Sequence, residues 1–277
     1  MKTAPGNKKV DENWQGKVAV ITGASSGIGA ATAKRLAREG MRLVLVARRA
    51  ERLAQLAEEI RQEGGEADVI TADLGQEAER NRLYEQVSAD YGTTDILVNN
   101  AGLGWYGYGA DMPWKTAREM LQVNVVAVVQ LTLLFLARMR ERDTGHIINV
   151  GSIAGSIPSQ GVAVYSATKS FLDAFTTSLF REMQGTRVRM SVVRAGPVAT
   201  EFFDTAAKRP AGSRIPAERF GVSAELVAER IWGLLRHPHR VIYVPRLLRV
   251  TPWIEFSFGW LMDRLGPLHL RRRSLNP

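Results

Sequence analysis

The 277 residues include no cysteine, which excludes disulfides and thiolate-held metal ions. A chain without thiols fits a reducing cytoplasm, the expected location. Histidine is scarce: His146, His237, His239 and His269 stand in no metal-binding pattern such as HExxH, and "HPH" at 237–239 reads as a surface turn. No metal site is expected. Long uninterrupted apolar runs are missing as well. The longest, Val123 to Ala137, is broken by Asn124, Gln130 and Thr132 and reads as a buried helix. A membrane-spanning helix needs ~20 apolar residues. The opening stretch "MKTAPGNKKVDENWQGK" lacks the apolar core of a secretory signal, and residues 1–14 are expected to be a flexible lead-in. No repeat, low-complexity tract or interdomain linker occurs, so a single domain is expected.

Acidic residues are the minority charge. The net charge is +9, and five of these excess charges fall between Arg240 and Pro277, where seven arginines face only Glu255 and Asp263. A basic end of this kind can meet anionic lipid or nucleic acid, or stay solvated. No nucleic-acid recognition motif accompanies it, so nucleic acid is not an expected partner.

Apolar β-branched runs alternate with amphipathic stretches. "KVAVITG" (17–23) reads as a strand, "IGAATAKRLAREG" (28–40) as a helix, "RLVLVAR" (42–48) as a strand and "AERLAQLAEEIRQEGG" (50–65) as a helix. "EADVITADL" (66–74) gives a third strand, followed by a helix to about Tyr91. "DILVNNAG" (95–102) and "GHIINVGS" (145–152) are strands on either side of a helix over about 113–140. A helix over about 162–184, "VRMSVVRAG" (188–196) and "RVIYVP" (240–245) complete a set of about seven strands. Such alternation predicts an α/β fold with a parallel, doubly wound sheet covered by helices on both faces. Ligands in such sheets sit at the carboxyl ends of the strands.

"TGASSGIG" (22–29) lies between the first strand and first helix. Gly23, Gly27 and Gly29 allow a tight turn and close approach of backbone to a pyrophosphate, with Ser25, Ser26 and Ile28 completing the cradle at a helix N-terminus. Read alone, the turn is also a plain strand-to-helix connection. The end of the second strand carries Ala47, Arg48 and Arg49, where NAD-binding sites usually carry an acidic residue. A guanidinium clamps a 2′-phosphate that a carboxylate would repel. NADP(H) is therefore expected over NAD(H), with Arg48 as main contact, although two arginines after a strand also read as merely solvated.

"YSATK" (165–169) places Tyr165 and Lys169 four positions apart, on one face of a helix. Taken alone the pair is ambiguous between a tuned proton donor and two polar residues on a wet surface. Together with "TGASSGIG", Asp73-Leu74, "NNAG" (99–102), Asn124 inside the next helix and Ser152 ending the fifth strand, it resembles the short-chain dehydrogenase/reductase family over roughly residues 15–245. Each motif falls in the family's order and on the expected element.

The resemblance implies a single Rossmann-type domain, 15–245, that interconverts a carbonyl and a secondary alcohol on a small molecule. It assigns proton transfer to Tyr165 and a shift of the tyrosine pKa towards neutrality to Lys169, which also holds the nicotinamide ribose. Ser152 would polarise the substrate oxygen, and Asn124 would anchor a water leading from Lys169. Asp73 and Leu74 would flank the adenine, with a helix cap as the plainer reading of Asp73. Asn99, Ala101 and Gly102 would line the ribose side, while Val198 and Thr200 would meet the carboxamide. One departure stands out: "AGPVAT" has Ala195 where the family usually has proline, which predicts a slightly looser loop. A non-catalytic NADP-binding protein is the rival reading, and it has no need of the full Asn124, Ser152, Tyr165, Lys169 set.

On the substrate side, "LGWYGYGADMPW" offers Trp105, Tyr106 and Tyr108, and the Pro/Gly-punctuated stretch 201–221 offers Phe202 and Phe203. An apolar pocket under a loop lid is expected, hence a fairly hydrophobic substrate. Beyond the domain, residues 246–277 form a basic, apolar extension in which Thr251 and Pro252 read as N-cap and first helical residue. Its helix, to about Leu265, would pack on a second subunit of a homo-oligomer or on the core, or lie peripherally in a membrane interface.

Overall fold

The computed structural model describes residues 13–213 and 221–271. Seven parallel strands form one sheet in the order β3-β2-β1-β4-β5-β6-β7. They are β1 (Val18–Thr22), β2 (Arg42–Ala47), β3 (Glu66–Thr71), β4 (Ile96–Asn99), β5 (Gly145–Ser152), β6 (Val188–Ala195) and β7 (Val241–Val244). The winding reverses at β1, which pairs with β2 on one side and β4 on the other.

Alternate side chains of each strand serve opposite faces, as the two-residue period of a strand requires. Ala19, Ile21, Leu43 and Leu45 join one core, covered by α1 (Gly27–Ala37), α2 (Ala50–Gln62) and α8 (Ala224–Arg236). Val18, Val20, Val44 and Val46 join the other, covered by α3 (Glu77–Tyr91), α5 (Ala127–Glu141) and α6 (Ala163–Glu182). Both cores pack against the sheet, and the large cavity opens along the strand ends.

The expected helix over 113–140 is split into α4 (Trp114–Leu121), a π-helical turn at Gln122–Val126, and α5. This run is apolar and long enough to cross a membrane, but half of its most apolar window is buried within the fold, against the sheet. Trp14 packs edge-on against Trp232 of α8, with ring centroids 5.3 Å apart, so the folded body already includes the end of the expected lead-in. Residues 1–12 of that lead-in lie outside the described residues.

Two helices stand where none is expected, α7 (Glu201–Ala207) and α8. The sequence carried a signal for α8: Ser223 caps it by accepting from the Leu226 amide at 3.2 Å, and Val227, Ala228, Ile231 and Leu235 form a helical stripe. The expected loop 201–221 is closed at its base by a bridge between Val198 and Val222, while its residues 214–220 lie outside the described set. Ala195 is a paired strand residue, in register with Ser152 on one side and Val244 on the other. The position where the family usually has proline is thus the last residue of β6.

The C-terminal helix α9 (Thr251–Arg271) is longer than expected and follows directly on a 3-10 turn at Arg246–Val250. Thr251 already has helical dihedrals (φ −57, ψ −39), and its buried hydroxyl has no hydrogen-bond partner, so it is not the expected N-cap.

Candidate active site

At the carboxyl end of β1, Thr22 Oγ1 donates to the Val98 carbonyl at 3.2 Å and accepts from the amides of Asn100 and Ala101, both at 3.0 Å. One hydroxyl thereby ties the glycine-rich turn to the end of β4. Gly23 (φ +65) and Gly27 (φ +55) adopt left-handed conformations, and a Cβ on Gly23 would lie 2.9 Å from the Ala101 Cα. A Cβ on Gly29 would approach the Gly23 carbonyl oxygen to 2.4 Å. Gly29 therefore serves the close packing of α1 on the turn, and it does not line the cavity as Gly23, Ser25, Ser26, Gly27 and Ile28 do.

That cavity, about 1120 Å³, runs along the strand ends. Ala47, Arg48 and Arg49 border it at β2, and Asp73 and Leu74 after β3. Asp73 is not the cap of α3, whose N-cap is Gln76; its Oδ1 accepts from the Gly75 amide at 3.1 Å and holds the turn. Arg48 is exposed at the rim. Arg49 is already engaged: its guanidinium donates to Ser25 Oγ at 2.9 Å, Ser26 Oγ at 2.7 Å and Glu201 Oε2 at 2.8 Å. Glu201 also takes Arg52, and the two guanidiniums hold its carboxyl below the usual carboxylate range.

Asn99 is a correction. It lies behind the cavity, buried, with Nδ2 donating to Thr132 Oγ1 at 3.0 Å and Asn149 Oδ1 at 2.9 Å. Its neighbour Asn100, past the strand end, lines the cavity with Ala101 and Gly102. Strand alternation sends one asparagine of the pair inward and leaves the other to the crevice. Val198 and Thr200 line the opposite side, as expected, and Thr200 packs against Gly27.

Ser152, Tyr165 and Lys169 meet in the same cavity. Ser152 ends β5, and its Oγ also accepts from the Ala154 amide at 3.2 Å, capping the short turn that follows. Burial pushes the Tyr165 hydroxyl up to about 12, opposed by a hydrogen bond from Ser152. Burial brings Lys169 down to about 8, opposed by the Asp173 carboxylate. Burial, not Lys169, is the dominant influence on the Tyr165 hydroxyl, so the expected depression by Lys169 is not seen in this structure. The ammonium donates to the Val150 carbonyl at 2.9 Å and stands 5.7 Å from the Tyr165 ring centre, while removal from water disfavours the phenolate.

Asn124 sits at the centre of the π-helical turn, fully buried and off the cavity wall. Its Oδ1 accepts from the Leu103 amide at 2.8 Å, and its Nδ2 donates to the Leu103 carbonyl at 2.9 Å and Thr168 Oγ1 at 3.2 Å. It braces the loop after β4 against α6, and the expected water-anchoring role rests on the one remaining lone pair of Oδ1.

Of the aromatics expected on the substrate side, Tyr106, Phe202 and Phe203 line the cavity. Phe202 tilts over Tyr165 with centroids 5.6 Å apart. Trp105 is buried behind the wall, its Nε1 donating to the Pro210 carbonyl at 3.0 Å, and Tyr108 faces outward. Ile153, Ile157 and Val162, between Ser152 and the YSATK helix, also line the cavity without having been foreseen. Their position directly after Ser152 at the end of a strand was the available signal.

The glycine cradle closes on backbone so tightly that side chains are excluded, and the crevice continues to a half-buried Tyr165 and a buried Lys169. These residues fit a nicotinamide dinucleotide and follow the site plan of the dehydrogenase/reductase class. The chain belongs to the short chain dehydrogenase family, whose model matches residues 17–211. It is 39% identical over 193 residues to the very-long-chain 3-oxoacyl-CoA reductase of Anas platyrhynchos, a match covering 67% of this chain but only 61% of that protein. It is 32% identical over 231 residues to an NADP-dependent 3-hydroxy acid dehydrogenase of Shigella flexneri, covering 81% and 91%. A short chain dehydrogenase/reductase from Burkholderia phymatum in complex with NAD superposes with a TM-score of 0.82 at 26% identity, covering 90% of this chain and 96% of that one.

Proposed function

We propose that this protein is an NADP(H)-dependent oxidoreductase that interconverts a carbonyl and a secondary alcohol on a fairly hydrophobic small molecule. The observation that carries the reading is the convergence of Ser152, Tyr165 and Lys169 on the cavity that the glycine turn opens. The cofactor preference is supported by Ala47, Arg48 and Arg49 at the β2 end, where no residue of the strand itself presents a carboxylate.

When bound, the nicotinamide supplies or accepts the hydride. Ser152 donates a hydrogen bond to the substrate oxygen and polarises the carbonyl. Tyr165, held neutral by burial, gives its proton to the nascent alkoxide, which is more basic than a phenolate. Lys169, as the ammonium, stabilises the phenolate left behind, which takes a proton back from solvent before the next turnover. Alcohol oxidation reverses these roles. Phe202, Phe203 and Tyr106 give the substrate an apolar wall and keep water from the reacting oxygen.

The test is a screen of ketones, aldehydes and secondary alcohols against NADPH or NADP⁺ absorbance, headed by 3-oxoacyl and 3-hydroxy acid compounds because of the two named relatives. Turnover should fall at least ~100-fold in Tyr165→Phe, the usual worth of a positioned acid. Unchanged turnover would overturn the mechanism. Arg48→Ala should weaken NADP binding far more than NAD binding, and an equal loss would remove the case for the clamp.

A further inference from the structure

Helix α9 is built inside out. Its side towards the body carries Thr251, Glu255 and Gly259, with Thr251 5% exposed and Glu255 Oε2 shut away from solvent. Its outer side carries Trp253 (72% exposed), Phe256 (87%), Phe258 (54%) and Trp260 (63%), with Ile254 and Leu261 beside them. At 100° per residue these six cover roughly 200° of the helix surface. An ordinary surface helix shows the reverse arrangement.

The exposure is concentrated. Eight of the fourteen exposed large apolar side chains among the described residues lie between Leu247 and Leu261. Exposed arginines frame this patch: Arg246 and Arg249 on the preceding 3-10 turn, and Arg264 along the helix, against one exposed acid, Asp263. Arg271, Arg272 and Arg273 follow in the sequence. Leu261 and Asp263 also line the catalytic cavity, so the helix forms part of its mouth.

We infer that α9 and the turn before it form an interfacial anchor for an anionic lipid surface, and that the cavity takes its substrate from that surface. A wide apolar arc with tryptophans, rimmed by arginines, is what a helix lying in the headgroup region presents. A second copy of the chain would bring the same arginines towards one another, whereas anionic headgroups pair them. The placement of Leu261 puts the mouth at the lipid boundary, which favours a membrane-partitioned, long-chain carbonyl or alcohol. This substrate class rests on the oxidoreductase reading, while lipid binding stands without it.

The test is flotation of the full chain with phosphatidylcholine vesicles, with and without phosphatidylserine, at low and high salt. The protein should float with the phosphatidylserine vesicles and be released by salt. Trp253→Ser/Phe256→Ser should lower the bound fraction at least tenfold, following the loss of apolar burial, by an amount on the order of that for two large side chains. Arg246→Gln/Arg249→Gln should lower it about fivefold per arginine. Turnover of a water-soluble ketone should persist in both variants, because none of the four residues lines the cavity. Failure to float with either vesicle, or binding that neither variant weakens, would overturn the anchor. So would a dimer, seen by light scattering, that Trp253→Ser/Phe256→Ser splits while vesicles stay unbound. Loss of turnover in the wild-type chain would count against the oxidoreductase reading alone.

Discussion

Lys169 is adjusted by a residue outside the family motifs. Asp173, one helical turn beyond Lys169, accepts from Arg194 Nε at 3.0 Å, and Arg194 in turn bonds the Tyr243 hydroxyl. Burial pushes the Asp173 carboxyl up, against the pull of Arg194 and Lys169. Its negative charge is what keeps the Lys169 value from falling further. Asp173→Asn should therefore shift the Lys169 proton loss to below about 8 and move the alkaline limb of kcat/KM to lower pH. The pH–rate profile checks this, and a limb that stays in place would sever Asp173 from the lysine. YSATK was legible in the sequence because a helix repeats every four residues. The Asp173–Arg194 pair was not, since it joins two elements that only the fold brings together. The asparagines of "NNAG" failed for a smaller reason: a register of one residue decides which of Asn99 and Asn100 meets the cavity.

Whole elements were legible where their apolar period is clean. All seven strands and the helices of the first half fall where the pattern puts them, because the central strands are buried on both faces and show it in β-branched runs. The π-helical turn at Gln122–Val126 left no such trace; its central Asn124 is bonded to Leu103, 21 positions away. Helix α7 was masked by its short length and the Pro/Gly-rich segment after it. Its first residue, Glu201, bridges Arg49 and Arg52 across the rim of the cavity. These pairs are half exposed and add little to stability. Their consequence is competition: the carboxylate occupies guanidiniums that a 2′-phosphate would use. Glu201→Gln should tighten NADP relative to NAD by roughly fivefold, the worth of about 1 kcal/mol from one removed like charge. Titration calorimetry with both nucleotides measures the ratio, and a shift towards NAD would show that Glu201 assists the phosphate.

At the scale of the molecule, the sheet separates two cores, and a buried histidine bridges two of its strands. His146 on β5 shares a hydrogen bond with Ser191 on β6 at 2.8 Å, and Ser191 donates to the His239 carbonyl at 2.7 Å. Burial, aided by Arg189, holds its pKa down at about 3 against 6.5 in the unfolded chain. A lowered folded value means that the unfolded chain binds the proton first. Stability contributed by neutral His146 is present above about 6.5 and is lost as pH falls towards about 3. The melting temperature of the wild type should fall more steeply over that window than that of His146→Gln; parallel curves would exclude the histidine as the cause. The reversal of winding at β1 has a different kind of consequence. On the proposed reading, the residues that would hold the adenosine end lie mainly between Gly23 and Gly102, with Glu201 reaching back to them, and those that would move the proton lie between Ser152 and Asp173. The two tasks are written on separate lengths of chain that share a crevice. A crossover near residue 110 could thus give offspring a new nucleotide preference while passing on the proton chemistry unaltered.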